Sequence, residues 1–143
     1  MLGNTSANTM TRHTRIFLII CLAAFVTSFL IQTVFQFLGA EKSVWGGNSG
    51  WQREIAFWNI GAAIVAAMTL RLNEERAGLA VSTGFTVLFL LLGTNHLFAV
   101  VADPHAQFHW PPLILNYIGS FFGLKVIFGS GRASKVVSPK DVA

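Results

Sequence analysis

At 143 residues the chain has room for one domain, and its composition decides which solvent that domain folds in. Only 11% of it is charged, against about a quarter in soluble domains, while 53% is hydrophobic and 13 residues are phenylalanine. A soluble core of this size could not enclose so much apolar side chain, so a lipid bilayer is the expected solvent and partner. The net charge of +4 makes no stripe for nucleic acid, because the basic residues stand at the ends of apolar runs. The lone Cys21 excludes dithiol redox cycling and reads as a small packed residue.

Residues 1–13 are polar and read as an unstructured cytoplasmic tail, with Met10, just before Arg12, His13 and Arg15, as an alternative start to Met1. The first apolar run, 16–40, is about 25 residues and long enough to span with some tilt. A cleaved signal peptide is the rival reading, with Leu38-Gly39-Ala40 imitating a cleavage site, but its apolar region would be only about 7–15 residues. The second run extends upstream to residues 50–70. Ser49-Gly50-Trp51-Gln52 reads as a capping box there, with Ser49 as N-cap, and Trp51 falls at the interface. The third span is predicted over 77–102, ending at Asp103-Pro104. The fourth covers 111–129, with Pro111 and Pro112 tolerated in the first turn. Residues 131–143 form a second polar tail.

Orientation follows from the lysines and arginines. Arg12, Arg15, Arg71, Arg76, Lys125, Arg132, Lys135 and Lys140 fall on one side of these spans, and only Lys42 and Arg53 on the other. The positive-inside rule therefore puts both termini in the cytoplasm. Short connections predict an all-α, up-down-up-down antiparallel bundle of four transmembrane helices. The localisation is a cell membrane, the inner membrane if the source is bacterial.

Polar residues concentrate in the outer half of all four spans. Intramembrane polar groups are costly and usually face a bundle interior. Gln36, Trp58, Asn59, Asn95, Asn116 and Tyr117 are the candidate ligand-binding residues of an outward-facing polar site. Glu54 and His96 are its sharpest pair, able in principle to share a proton as acid and base. Helical phase qualifies this, because Glu54, Trp58 and Gly61 share one face of the second helix while Asn59 points away from it. Asn59 therefore reads as a hydrogen-bonding link to a neighbouring helix.

Asp103, His105 and His109 are the alternative metal ligands, since histidines four apart on a helix can share an ion. The proline makes this stretch a loop, so interfacial loop residues are the favoured reading and no metal is expected. His13 lies at the opposite surface from His96, which excludes them as paired haem ligands; no cofactor is expected. Gly119 and Gly123 form a GxxxG, and Ala62, Ala63, Ala66 and Ala67 form a small-residue face. Both suit close helix approach inside the bundle.

Glu54, Asn59 and Gly61 on the second helix and Gly93-Thr94-Asn95-His96 on the third resemble a pattern found in DoxX-like and neighbouring four-helix bacterial membrane proteins. The resemblance covers roughly residues 14–130 and implies the same four-helix architecture. Some members are linked to quinone-coupled complexes, but no flavin, haem or dithiol motif here carries that chemistry. Three function classes follow. The favoured one is a non-catalytic protein binding a lipid or small apolar molecule, or acting as an accessory subunit of a larger membrane complex. The others are a membrane-embedded acid–base or quinone-linked enzyme using Glu54 and His96, and a small proton-linked transporter.

Overall fold

The computed structural model describes residues 8–35 and 43–133. Its regular elements there are α1 (Arg12–Thr33), α2 (Ser49–Leu72), α3 (Glu75–Ala102), a 3-10 turn (Gln107–His109) and α4 (Trp110–Ala133). All four long helices are apolar and long enough to cross a membrane. No more than 33% of any of their apolar windows is buried inside the protein, so the remaining apolar surface faces outward, as lipid contact requires.

Three boundaries differ from expectation. α1 begins at Arg12 because Thr11 caps it, accepting from the Thr14 N–H; it gives way to a turn at Val34, and residues 36–40 of the expected span lie outside the described residues. The cap of α2 is Asn48 and not Ser49. The Asn48 side-chain oxygen accepts from Gly50 N–H at 3.0 Å and Trp51 N–H at 3.1 Å, satisfying two of the orphan donors of the first turn. α4 runs to Ala133, so residues 131–133 of the expected tail continue the helix.

Residues 8–13 are also not the unstructured tail that their polarity implied. α2 ends at Asn73, whose left-handed backbone (φ 52°) asparagine tolerates, and the chain turns directly into α3. The N-terminal segment lies along that turn. Met10 N–H donates to Asn73 O, and Glu75 N–H donates to Asn8 O, both at 3.0 Å. The Glu75 carboxylate then accepts from Thr11 N–H at 2.6 Å and from the Thr14 hydroxyl at 3.0 Å. A carboxylate placed at the first turn of α1 answers both its free N–H groups and its dipole.

Packing is unequal. α1 lies extensively along α2, and α3 along α4, with fewer contacts between the two pairs. In the α1–α2 seam Ala63 and Ala66 pack in one cluster with Phe17, Leu18, Cys21 and Phe25. In the α3–α4 seam glycines replace alanines. A side chain at Gly119 would meet the Phe89 ring at 2.9 Å, and one at Gly93 would meet Asn116 Cβ at 3.3 Å. Gly123 is the tightest point, where a Cβ would collide with the Thr86 hydroxyl and reach the Phe17 ring at 2.9 Å. The GxxxG is thus spent inside the protein. A phenylalanine cluster joins the two pairs: Phe25 stacks on Phe89 at 5.7 Å and meets Phe85 edge-on at 4.9 Å. Such ring pairs add about 0.5–1.5 kcal/mol each beyond their buried area.

This packing predicts a graded response to added methyl groups. Gly123→Val should lower thermal stability in detergent by ~2 kcal/mol, through overpacking against the Thr86 side chain and the Phe17 ring. Gly61→Ala, where a Cβ meets nothing within 4 Å, should leave the melting temperature unchanged or slightly raised.

Candidate functional site

The polar side chains expected to gather in one chamber are sorted into separate groups. Ser28 holds the first, between α1 and α2. Its hydroxyl oxygen accepts from Asn59 Nδ2 at 3.0 Å and from Gln32 Nε2 at 3.3 Å. Asn59 therefore links two helices, as its phase implied. The second group joins α3 to α4, where the Thr94 and Tyr117 hydroxyls are 3.3 Å apart. Asn116 is turned back on its own helix, donating to Pro112 O at 2.7 Å. Asn95 and Trp58 are exposed, Trp58 at 75%, so neither lines an interior site. Gln36 lies outside the described residues.

The Glu54–His96 pair does not form. Glu54 is exposed on α2 beside Trp58 and Gly61, and no hydrogen bond or ion pair among the described residues involves it. The reason is steric. Ala63 lies nine residues from Glu54, about half a turn around the helix at ~100° per residue. Ala63 and Ala66 lie on the face that packs with Phe17, Leu18, Cys21 and Phe25 of α1. Seating that face turns the glutamate outward.

His96 has a different partner. Its Nδ1 lies 3.1 Å from Nδ1 of His109, whose side chain is fully buried. The loop between them makes this meeting possible. Asp103 Oδ1 accepts from His105 N–H at 2.9 Å, Ala106 N–H returns to Asp103 O at 3.1 Å, and Trp110 Nε1–H donates to Pro104 O at 3.3 Å. This tight reversal drops the 3-10 turn back toward α3 and carries His109 inward. His109 Nε2 is met by the segment before α2: Val44 N–H donates to it at 3.2 Å, and the Ser43 hydroxyl is 3.5 Å away. Ser43 Oγ itself accepts from Trp45 N–H at 3.2 Å, which leaves its own hydrogen to point at the imidazole. Trp45 covers both rings, with centroids 4.5 Å from His109 and 5.2 Å from His96.

The metal alternative of Asp103, His105 and His109 is overturned by the same geometry. His105 is exposed and the Asp103 carboxylate closes its own turn, while both ring nitrogens of buried His109 are engaged elsewhere. No cluster of three or more His, Cys, Asp or Glu residues gathers among the described residues. His109 is also not the interfacial loop residue it was expected to be. A cleft of about 380 Å³ lies beyond the cluster, lined by Ser43, Val44, Asp103, His105, Ala106, Gln107 and Phe108. It adjoins the histidines through the two residues that meet His109 Nε2.

Gly93 connects the site to the fold. It lets α4 approach α3 one turn before His96, so the Gly93-Thr94-Asn95-His96 segment is where seam and site meet. No protein-family model, curated protein or solved structure matches the chain.

If His109 organises this end, His109→Ala leaves Val44 N–H and His96 Nδ1 without their partner and should cost ~1–3 kcal/mol of unfolding free energy. Glu54→Gln should change stability by less than ~0.5 kcal/mol, as for an outward-facing substitution. Thermal or steric-trap unfolding in detergent measures both.

Proposed function

We propose that this chain is a four-span protein of the up-down-up-down kind with both termini in the cytoplasm, and that its outer end binds a small apolar or amphipathic molecule at His96, His109 and Trp45. The helix contacts support the antiparallel order. The start of α1 meets the end of α2 through Met10 and Asn73, while Ser28 and Asn59 meet further along. Gly93 and Asn116, Phe89 and Gly119, and Thr86 and Gly123 meet in the same reversed sense across α3 and α4. Arg12, Arg71 and Arg76 then share the end opposite the histidines, the end that the positive-inside rule assigns to the cytoplasm.

The observation that carries the binding reading is the histidine pair. Two imidazoles at the outer end of the apolar spans, His96 in α3 and His109 fully buried in the 3-10 turn, are costly unless they are satisfied, and polar groups so placed often mark function. A DoxX-like affiliation accords with this arrangement at Gly93 and His96, one seating the seam and the other beside the site. Glu54 and Asn59 of the same pattern belong to different faces of α2. The accessory-subunit reading draws on Glu54 itself, because a carboxylate on the outward face of a spanning helix is better satisfied by a partner than by lipid.

Purification under native conditions followed by mass spectrometry tests the binding reading. A small apolar molecule should stay with the wild-type chain and with Glu54→Gln and be lost from His96→Ala; equal retention by His96→Ala would sink the assignment. For orientation, single cysteines at Glu74 and His105 in a Cys21→Ala background should react with membrane-impermeant maleimide from the cytoplasmic and outer sides respectively. Labelling from the reverse sides contradicts the proposed topology.

A further inference from the structure

We infer that His96 and His109 form an ordered hydrogen-bond relay presenting one N–H donor, Nε2–H of His96, to the carbonyl oxygen of a neutral ligand. This rests on the reading of that end as a ligand site, and it names the chemistry the ligand must carry.

The order of the relay follows from a backbone group that has no choice. Val44 N–H can only donate, so His109 Nε2 must hold a lone pair and accept. A neutral imidazole with a bare Nε2 carries its proton on Nδ1. His109 Nδ1–H therefore donates across the 3.1 Å contact, and His96 Nδ1 accepts. His96 in turn carries its proton on Nε2. That N–H has no hydrogen-bond partner among the described residues, and His96 is only half-buried. The pair thus fixes its own tautomers from the Val44 end and leaves a single donor at the other.

The same logic separates a relay from a metal site. Two Nδ1 atoms at 3.1 Å could grip one ion between them. Doing so would strip the His109 Nδ1 proton while Val44 holds Nε2, and an imidazolate would have to stand beside an indole. The ligand's charge is bounded as well. A single neutral donor with no Lys or Arg beside it among the described residues, and with Asp103 on the adjoining loop, gives an anion a hydrogen bond but no opposite charge to offset its desolvation. A cation meets a donor with no acceptor. What remains is a neutral acceptor oxygen on an apolar body, laid along the half-exposed Trp45 ring. Such a carbonyl belongs either to the ester group of a phospholipid or to a free apolar compound.

Nitrogen-15 histidine NMR of the full chain in nanodiscs tests both the relay and the source of the carbonyl. In either lipid, His109 should show a protonated Nδ1 and a bare Nε2, with the opposite pattern at His96. With ester-linked phospholipid, a His96 Nε2–H proton shifted downfield identifies the lipid as the source. In ether-linked lipid, which has no carbonyl, a saturable downfield shift on adding benzophenone identifies a free ligand. Either response should vanish in His109→Phe, in which nothing donates to His96 Nδ1, while a folded spectrum is retained. A shift in neither lipid nor benzophenone overturns the carbonyl inference. A protonated Nε2 on His109, or Zn²⁺ displacing the Nδ1 proton, overturns the relay. A ligand that co-purifies through His96 without moving its Nε2–H would leave the binding site standing and remove only the carbonyl.

Discussion

Helices in a bilayer gain little from hiding apolar surface from one another, because lipid tails are as apolar as leucine. What decides which faces meet is how closely two backbones can approach. In this protein the glycines of the α3–α4 seam and the alanines of the α1–α2 seam make that decision. Gly123 admits Thr86 and Phe17 at once, Gly119 admits Phe89, and Gly93 admits Asn116 and Tyr117. Every other assignment of inside and outside follows from seating these small residues. Glu54 is turned out because Ala63 is turned in, and His96 stays near the seam because Gly93 lies one turn before it.

Once the seams are seated, the polar groups must be satisfied locally, since hydrocarbon satisfies none of them. The structure meets most of this with short exchanges between neighbouring elements and no shared chamber, Gln32 Oε1 and Ser82 Oγ being the buried exceptions among the described residues. Asn59 and Gln32 converge on Ser28, Tyr117 meets Thr94, and Thr69, Thr83 and Thr86 donate to carbonyls four residues back on their own helices. The ends are tied in the same way. At one end Glu75 gathers Thr11 and Thr14, and at the other Val44, His109 and His96 form a chain. Both ties join segments distant in sequence, which compensates for the sparse contact between the two helix pairs.

Much of this was legible in the amino-acid order. Run lengths and composition give four spans, the i, i+4, i+7 phase already separates Glu54, Trp58 and Gly61 from Asn59, and the GxxxG points to an internal seam. Phase alone does not say which of two opposite faces turns inward. Ranking Glu54 first by chemical interest chose the wrong face of α2, whereas the alanine stripe identifies the right one. The partner of His96 was missed for a different reason. Testing His105 and His109 at helical spacing treats the stretch after Asp103 as continuous, while Pro104 and the Asp103 turn reverse it. His96 and His109 are nearly equidistant from that turn, and in a helical hairpin such residues face each other. That symmetry was the available signal.

A histidine pair could be purely structural, a way of stitching the α3–α4 loop to the segment before α2. Stitching alone does not account for how the pair is built. A loop tie needs two complementary groups, and Val44 N–H with one buried imidazole already supplies them. The second imidazole lengthens the chain by a ring and ends it on a half-buried donor that nothing among the described residues accepts. Lengthening the tie by a ring whose last N–H is unanswered adds nothing as architecture, and it makes physical sense when an acceptor arrives from outside the fold. On that argument the organising role belongs to His109, and the proposed ligand contact to His96.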